Sequence, residues 1–193
     1  MSRIKKLKEI LEDKKLDCAV ISGEPNLYYF LGYRGTGILI LCDDTPTLLS
    51  STLEKYRAET VKDAEVKIYD PIRILEDDKN TIHADYRDAI KTLIGSNKRT
   101  GADLNWMSYG DYLYFKENFN VEDLSAQILE LRGVKDQEEL ELIKKAGEIT
   151  TTAFKKTLDN LKENMSEKEV AGYLEYLFRK LGAEDYAFPS IIA

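Results

Sequence analysis

The chain has 193 residues, 43% of them hydrophobic and 33% charged, which suits one ample domain, or one domain and part of another, around a packed core. Acidic and basic residues are mixed along the chain and leave a formal net charge of -7, so no basic stripe exists to follow a phosphate backbone, and nucleic acid is not an expected partner. No segment has the uninterrupted apolar length of a membrane span, and residues 1–13 alternate charge with apolar residues where a signal peptide would be continuous, which predicts a cytoplasmic protein.

The chain opens on a helical pattern, with Ile4, Leu7, Ile10 and Leu11 on one face and Ser2 as the cap, and then enters an apolar strand over Cys18–Ser22. Cys18 and Cys42 both sit in apolar runs, which predicts small core hydrophobes with reduced thiols in a reducing compartment. Gly23-Glu24-Pro25-Asn26 signals a turn before the aromatic block Leu27–Leu31 and the glycine-rich Gly32-Tyr33-Arg34-Gly35-Thr36-Gly37. These glycines precede a strand, whereas a phosphate-binding loop joins a strand to a helix amino terminus, so they predict a turn or close packing. Within the loop, Tyr33 and Arg34 form an exposed aromatic beside a guanidinium, the best candidate in the sequence for gripping a carboxylate or a partner chain.

Ile38–Cys42 reads as a strand that turns at Asp43–Pro46 into Thr47–Ser50. Leu53–Val61 follows as a helix, Val66–Tyr69 as a strand, Ala84–Ile94 as a helix and Arg99–Leu104 as a strand. Trp106, Tyr109, Tyr112, Leu113 and Phe119 form a helical or helix-flanking apolar patch, with core packing as its first explanation and a groove or dimer surface as its second. His83 is the sole histidine and lies near a helix start, which predicts a surface or capping role. An active enzyme using His83 with nearby carboxylates is the least supported reading, since zinc-helix, paired-cysteine and EF-hand motifs are all missing.

This alternation predicts an α/β amino-terminal domain of three layers around a mixed sheet, over residues 1–131. From residue 132 the texture changes to two long helices, with Gly133 as the joint. Asp136 with Glu139, and Ser166 with Glu169, mark their starts, and both carry apolar stripes that require a covering sheet. Phe188–Ala193 reads as a buried strand, which predicts that the chain stops inside a domain.

Asn26–Tyr33, Leu131–Ala146, Met165–Ala171 and the segment Ala187-Phe188-Pro189-Ser190-Ile191-Ile192-Ala193, in that order, resemble the prolidase, aminopeptidase P and creatinase family over essentially the whole chain. The resemblance implies an amino-terminal domain followed by two helices and one strand, residues 132–193, of an incomplete pita-bread metallopeptidase domain. It implies a metal-dependent Xaa-Pro dipeptidase or aminopeptidase, acting on short proline-containing peptides, whose two divalent ions, such as Mn or Co, are held by two Asp, one His and two Glu absent here. On that reading this chain has no catalytic and no metal-ligating residues and is inactive alone. It serves homodimerisation and substrate restriction, with Tyr33 and Arg34 as the candidate gating or partner-contact residues. The alternative is a non-catalytic binding or assembly protein that pairs with itself or with a separate catalytic chain.

Overall fold

Helix α1, Arg3–Lys14, starts where the Ser2 hydroxyl accepts the Lys5 N–H at 3.2 Å and stops where Lys15 turns left-handed. It buries Leu7 and Leu11 and delivers the chain to β1, Cys18–Ser22. The structure is a computed structural model and describes residues 2–95 and 97–193. The predicted turn at residues 23–26 is the first turn of helix α2, Glu24–Leu31, where Pro25 supplies a preset φ and needs no N–H partner. Gly32 then ends the helix in the left-handed region.

Strands β2, Gly37–Leu41, and β3, Thr47–Ser51, form the expected hairpin, and a short helix α3, Lys55–Ala58, leads to β4, Glu65–Tyr69, and β5, Thr81–Ile82. Helix α4, Tyr86–Ile94, starts at Asp85, whose carboxylate accepts the Arg87 and Asp88 N–H groups. Strand β6, Arg99–Ala102, helix α5, Tyr109–Asn118, strand β7, Asn120–Asp123, and helix α6, Ser125–Gly133, complete this part. The seven strands lie in the order β5-β4-β3-β2-β1-β6-β7, all parallel except β2, so the sheet is mixed.

Central β1 is buried along nearly its whole length, and its period of two divides the core. Ala19 and Ile21 join Leu7, Leu27 and Ile128 beneath α1, α2 and α6, whereas Cys18 and Val20 join Ile90, Ile94, Phe115 and Phe119 beneath α4 and α5. These are the three layers expected from the alternation of elements. One expectation fails here. The antiparallel register sets Ala19 against Leu41, so Cys18 and Cys42 face each other across β1 and β2 and are joined in a disulfide. Two thiols read as separate core residues become partners because strand register brings together positions that are 24 residues apart.

The chain divides into two compact units, Met1–Gly133 and Val134–Ala193. In the second, α7, Gln137–Asp159, and α8, Glu167–Lys180, carry the capping boxes read from Asp136 with Glu139 and Ser166 with Glu169. Ala153 and Leu177 are buried, but Leu140, Ile143, Phe154 and Leu158 remain about half exposed. The predicted terminal strand is not formed. Phe188–Ala193 makes no strand pairing, and Phe188 and Ile191 are exposed, because a strand exists only through a neighbouring ladder and none lies beside this segment among the described residues.

Candidate functional site

The carboxyl ends of β1, β4 and β6 share one edge of the sheet with the amino end of antiparallel β2. From β1 the chain moves outward to β5 and then returns to the opposite side at β6, so strand order reverses beside β1. Loops diverging from such a reversal leave a crevice. A cavity of about 500 Å³ occupies it, floored by Val20 and Ile38 of the sheet, Ile90 of α4 and Phe115 of α5.

Trp106 forms one wall, fixed on the corner between β1 and α2. The Ser22 hydroxyl donates to the Trp106 carbonyl at 2.9 Å. Gly23 has φ +92°, and a Cβ there would stand 2.4 Å from the indole, so the bare backbone is what admits the ring.

The loop after α2 forms the adjoining rim. Tyr33 is only 2% exposed, and its hydroxyl lies 3.2 Å from Glu54 Oε2 and 3.4 Å from Ser50 Oγ. Burial pushes the Tyr33 phenol above its ordinary pKa, the Ser50 hydrogen bond partly offsets this, and neighbouring Glu54 pushes further upward. Tyr33 is thus a post on which the loop is built, and the exposed residue is Arg34, whose guanidinium lies 4.7 Å from the centroid of the Tyr28 ring. Arg57 secures the loop from below, donating to the Arg34 carbonyl at 3.3 Å and pairing with Glu54 at 3.2 Å.

Across the cavity stands Asp111, which accepts from Ser108 Oγ at 2.6 Å, from Arg87 Nε at 2.9 Å and from the Tyr86 hydroxyl. Burial alone would raise its pKa. The hydrogen bonds from Ser108, Tyr86 and Arg87 outweigh burial and hold the carboxyl below its usual range, so it is an anion near neutrality.

The expected pair of exposed Tyr33 and Arg34 is therefore corrected in one respect: the aromatic ring beside Arg34 is Tyr28, because the Tyr33 ring is buried. His83 also differs from its expected surface or capping role. Its side chain is 14% exposed, with Nε2 2.7 Å from Asp77 Oδ1 and Nδ1 3.5 Å from buried Asp70, and it does not line the cavity. Arg57, Tyr86 and Asp111 escaped the sequence reading, since they come from separate elements and no spacing links them. Among the described residues no group of three His, Cys, Asp or Glu side chains is placed to hold a metal ion, so the donor set does not fit a dinuclear centre. Nor is any helix of the described residues long and apolar enough to cross a membrane.

The model of the creatinase/prolidase N-terminal domain matches residues 3–134. The chain belongs to that family. Residues 141–193 match the model of metallopeptidase family M24. Among curated proteins, the Xaa-Pro dipeptidase of Pyrococcus furiosus is 30% identical over 99% of this chain and 52% of its own length. Among solved structures, the prolidase from Pyrococcus furiosus superposes with a TM-score of 0.82 at 29% identity, covering 99% of this chain and 57% of that one. The X-Pro aminopeptidase from Thermotoga maritima gives a TM-score of 0.80 at 25% identity, covering 97% of this chain and 52% of that one. This creatinase/prolidase N-terminal domain, with the M24 segment that follows it, spans about half the length of the curated relatives it matches.

Proposed function

We propose that this chain is the amino-terminal portion of a metal-dependent Xaa-Pro dipeptidase or aminopeptidase. Its part in the complete enzyme is then dimerisation and restriction of substrates to short proline-containing peptides. The observation that carries this reading is the alignment of 99% of the chain with a protein named Xaa-Pro dipeptidase, through both an N-terminal-domain match and an M24 match.

Local chemistry supports the division of labour. The lone histidine is engaged with Asp70 and Asp77 and does not line the cavity. Arg34, displayed on a loop braced by Tyr33, Glu54 and Arg57, is suited to hold a peptide carboxylate at an active-site mouth. The same edge of the sheet exposes Leu53, Tyr56 and Ile72 after β3 and β4, an apolar surface that favours a second copy as the partner.

The alternative, a non-catalytic assembly protein, is favoured by the half-exposed apolar face of α7, which carries Leu140, Ile143, Phe154 and Leu158. Incubation of the purified chain with leucyl-proline and Mn²⁺ or Co²⁺ is expected to give no hydrolysis, and light scattering is expected to give a dimer. Chelator-sensitive cleavage would overturn the non-catalytic assignment, and a monomer at high concentration would overturn the dimer.

A further inference from the structure

The Cys18–Cys42 bridge has one sulfur in the core and one beside solvent, and we propose that it is a reversible redox latch, opened by a thiol that enters at Cys42. Cys18 is fully buried in central β1, which is paired on both sides, by β2 and by β6. Cys42 lies one residue past the end of β2, is only partly buried, and lines a crevice of about 310 Å³ between α1 and the turn at residues 43–46.

Exchange requires a thiolate to attack a reachable sulfur, so this difference in burial fixes the order of events. One thiolate of a dithiol reductant forms an S–S bond to Cys42, the Cys42–Cys18 bond breaks, and its electron pair leaves on the Cys18 sulfur, which takes up a proton. The second thiol of the reductant then attacks the reductant sulfur of the mixed disulfide and releases Cys42, which is protonated in turn. The reductant loses two electrons and becomes a disulfide, the bridge gains two and becomes two thiols, and the two protons pass from one pair to the other. The opened form keeps its sheet. Four register pairs, from Ala19 with Leu41 to Ser22 with Ile38, still join β1 to β2, and the Cys18 thiol stays as a small apolar group in the core with Val20 and Ile40.

The crevice also selects the thiol. Glu12, Asp17, Asp43 and Asp44 line it against the single ammonium of Lys8, four carboxylates less one cation, a net of three negative charges. Internal contacts leave that balance unchanged: Lys8 pairs with Asp44 at 2.7 Å, both already counted, and Asp17 accepts the backbone N–H of Arg99 at 2.8 Å, a neutral donor. The Arg99 guanidinium, which is outside the lining, faces Glu122 at 3.8 Å. An anionic thiol is therefore repelled from Cys42, and a thiol that carries an ammonium group is favoured.

This inference needs neither metal nor peptide turnover and stands apart from the Xaa-Pro assignment. The oxidised 193-residue chain is treated, without denaturant, with cysteamine, 2-mercaptoethanol or 2-mercaptoethanesulfonate. Each rate is taken at equal thiolate concentration and divided by the rate of the same thiol on a small neutral disulfide. Cysteamine is expected to be fastest and the sulfonate slowest, about tenfold apart at low ionic strength and nearly equal in about 0.5 M salt. Asp43→Asn and Glu12→Gln each change an exposed side chain and are expected to narrow the ratio about twofold. Acid quenching, alkylation and peptide mapping are expected to find the mixed disulfide on Cys42 and the alkyl group on Cys18. Removal of the thiol and addition of oxidised dithiothreitol are expected to restore the bridge, with circular dichroism unchanged through the cycle. Reduction only in denaturant, a mixed disulfide found first or equally on Cys18, no dependence on thiol charge, or loss of the folded spectrum on reduction would each overturn the latch. So would a peptide map of the folded chain without a Cys18–Cys42 linkage.

Discussion

Asn26 and Asp103, 77 residues apart in the chain, are joined at 2.8 Å between the Asn26 amide nitrogen and a carboxylate oxygen of Asp103, and both side chains are almost fully buried. The same Asn26 nitrogen donates to the Ser22 carbonyl at 2.8 Å, and its amide oxygen accepts from Arg132 at 3.0 Å. One side chain therefore ties the end of β1 to the turn after β6 and to the last turn of α6. These are the elements that shape the cavity and close the first unit.

Asn26→Ala leaves Asp103 and Arg132 without that partner in a buried setting. The cost is expected to be about 1–3 kcal/mol, the penalty for stranding a buried polar group, with the loss of Arg132 tethering included. Urea unfolding followed by circular dichroism measures it. Asn26→Asp is expected to be at least as damaging, because it sets a second carboxylate against Asp103. A variant as stable as the parent would show that the network contributes nothing net.

Reduction of the Cys18–Cys42 bridge is expected to lower stability by about 3 kcal/mol, the loop-entropy scale for two cysteines 24 residues apart. Cys18→Ser with Cys42→Ser is expected to match the reduced parent and to become insensitive to reductant. Thermal unfolding with and without dithiothreitol, alongside a non-reducing peptide map, tests both statements. Identical melting in both conditions for a mapped disulfide would contradict the assigned contribution.

Asp70 gives a pH dependence of defined sign. Burial raises its pKa, but the N–H groups of Leu75, Ile74 and Ile72 and the His83 imidazole outweigh burial and hold the carboxyl below its ordinary value. The folded protein consequently binds fewer protons at Asp70 than the unfolded chain in mildly acidic solution. This contribution is present in full above the unfolded pKa of about 4 and is lost as pH falls through the lower folded value. Asp70→Asn removes it, so the stability of the variant is expected to fall less steeply on the acid side. Melting temperatures across an acid pH series measure this, and parallel curves for parent and variant would refute it.

The reach of the sequence differed from element to element for identifiable reasons. Helices α1, α7 and α8 announce themselves because cap and apolar stripe lie within a few neighbouring residues. Helix α2 hid behind Gly23 and Pro25, which signal a turn and equally begin a helix. Strands β5 and β7 went unread, since their exposed or partly buried residues show too little alternation to stand out. At the candidate site, Arg34 stood out for its glycine-flanked position, yet the burial of Tyr33 depended on Ser50 and Glu54, on a different strand and turn.

The amino-acid order by itself determined the layered α/β class, the mixed sheet, the two capped helices and the family, because periodicity, caps and ordered motifs are short-range features of the chain. Tertiary structure alone decided that Cys18 meets Cys42, that Tyr33 turns inward, that His83 sits between Asp70 and Asp77, and that Trp106 and Asp111 face one cavity. Those outcomes depend on strand register and on the reversal of strand order beside β1, which join residues dozens of positions apart and leave no periodic trace in the sequence.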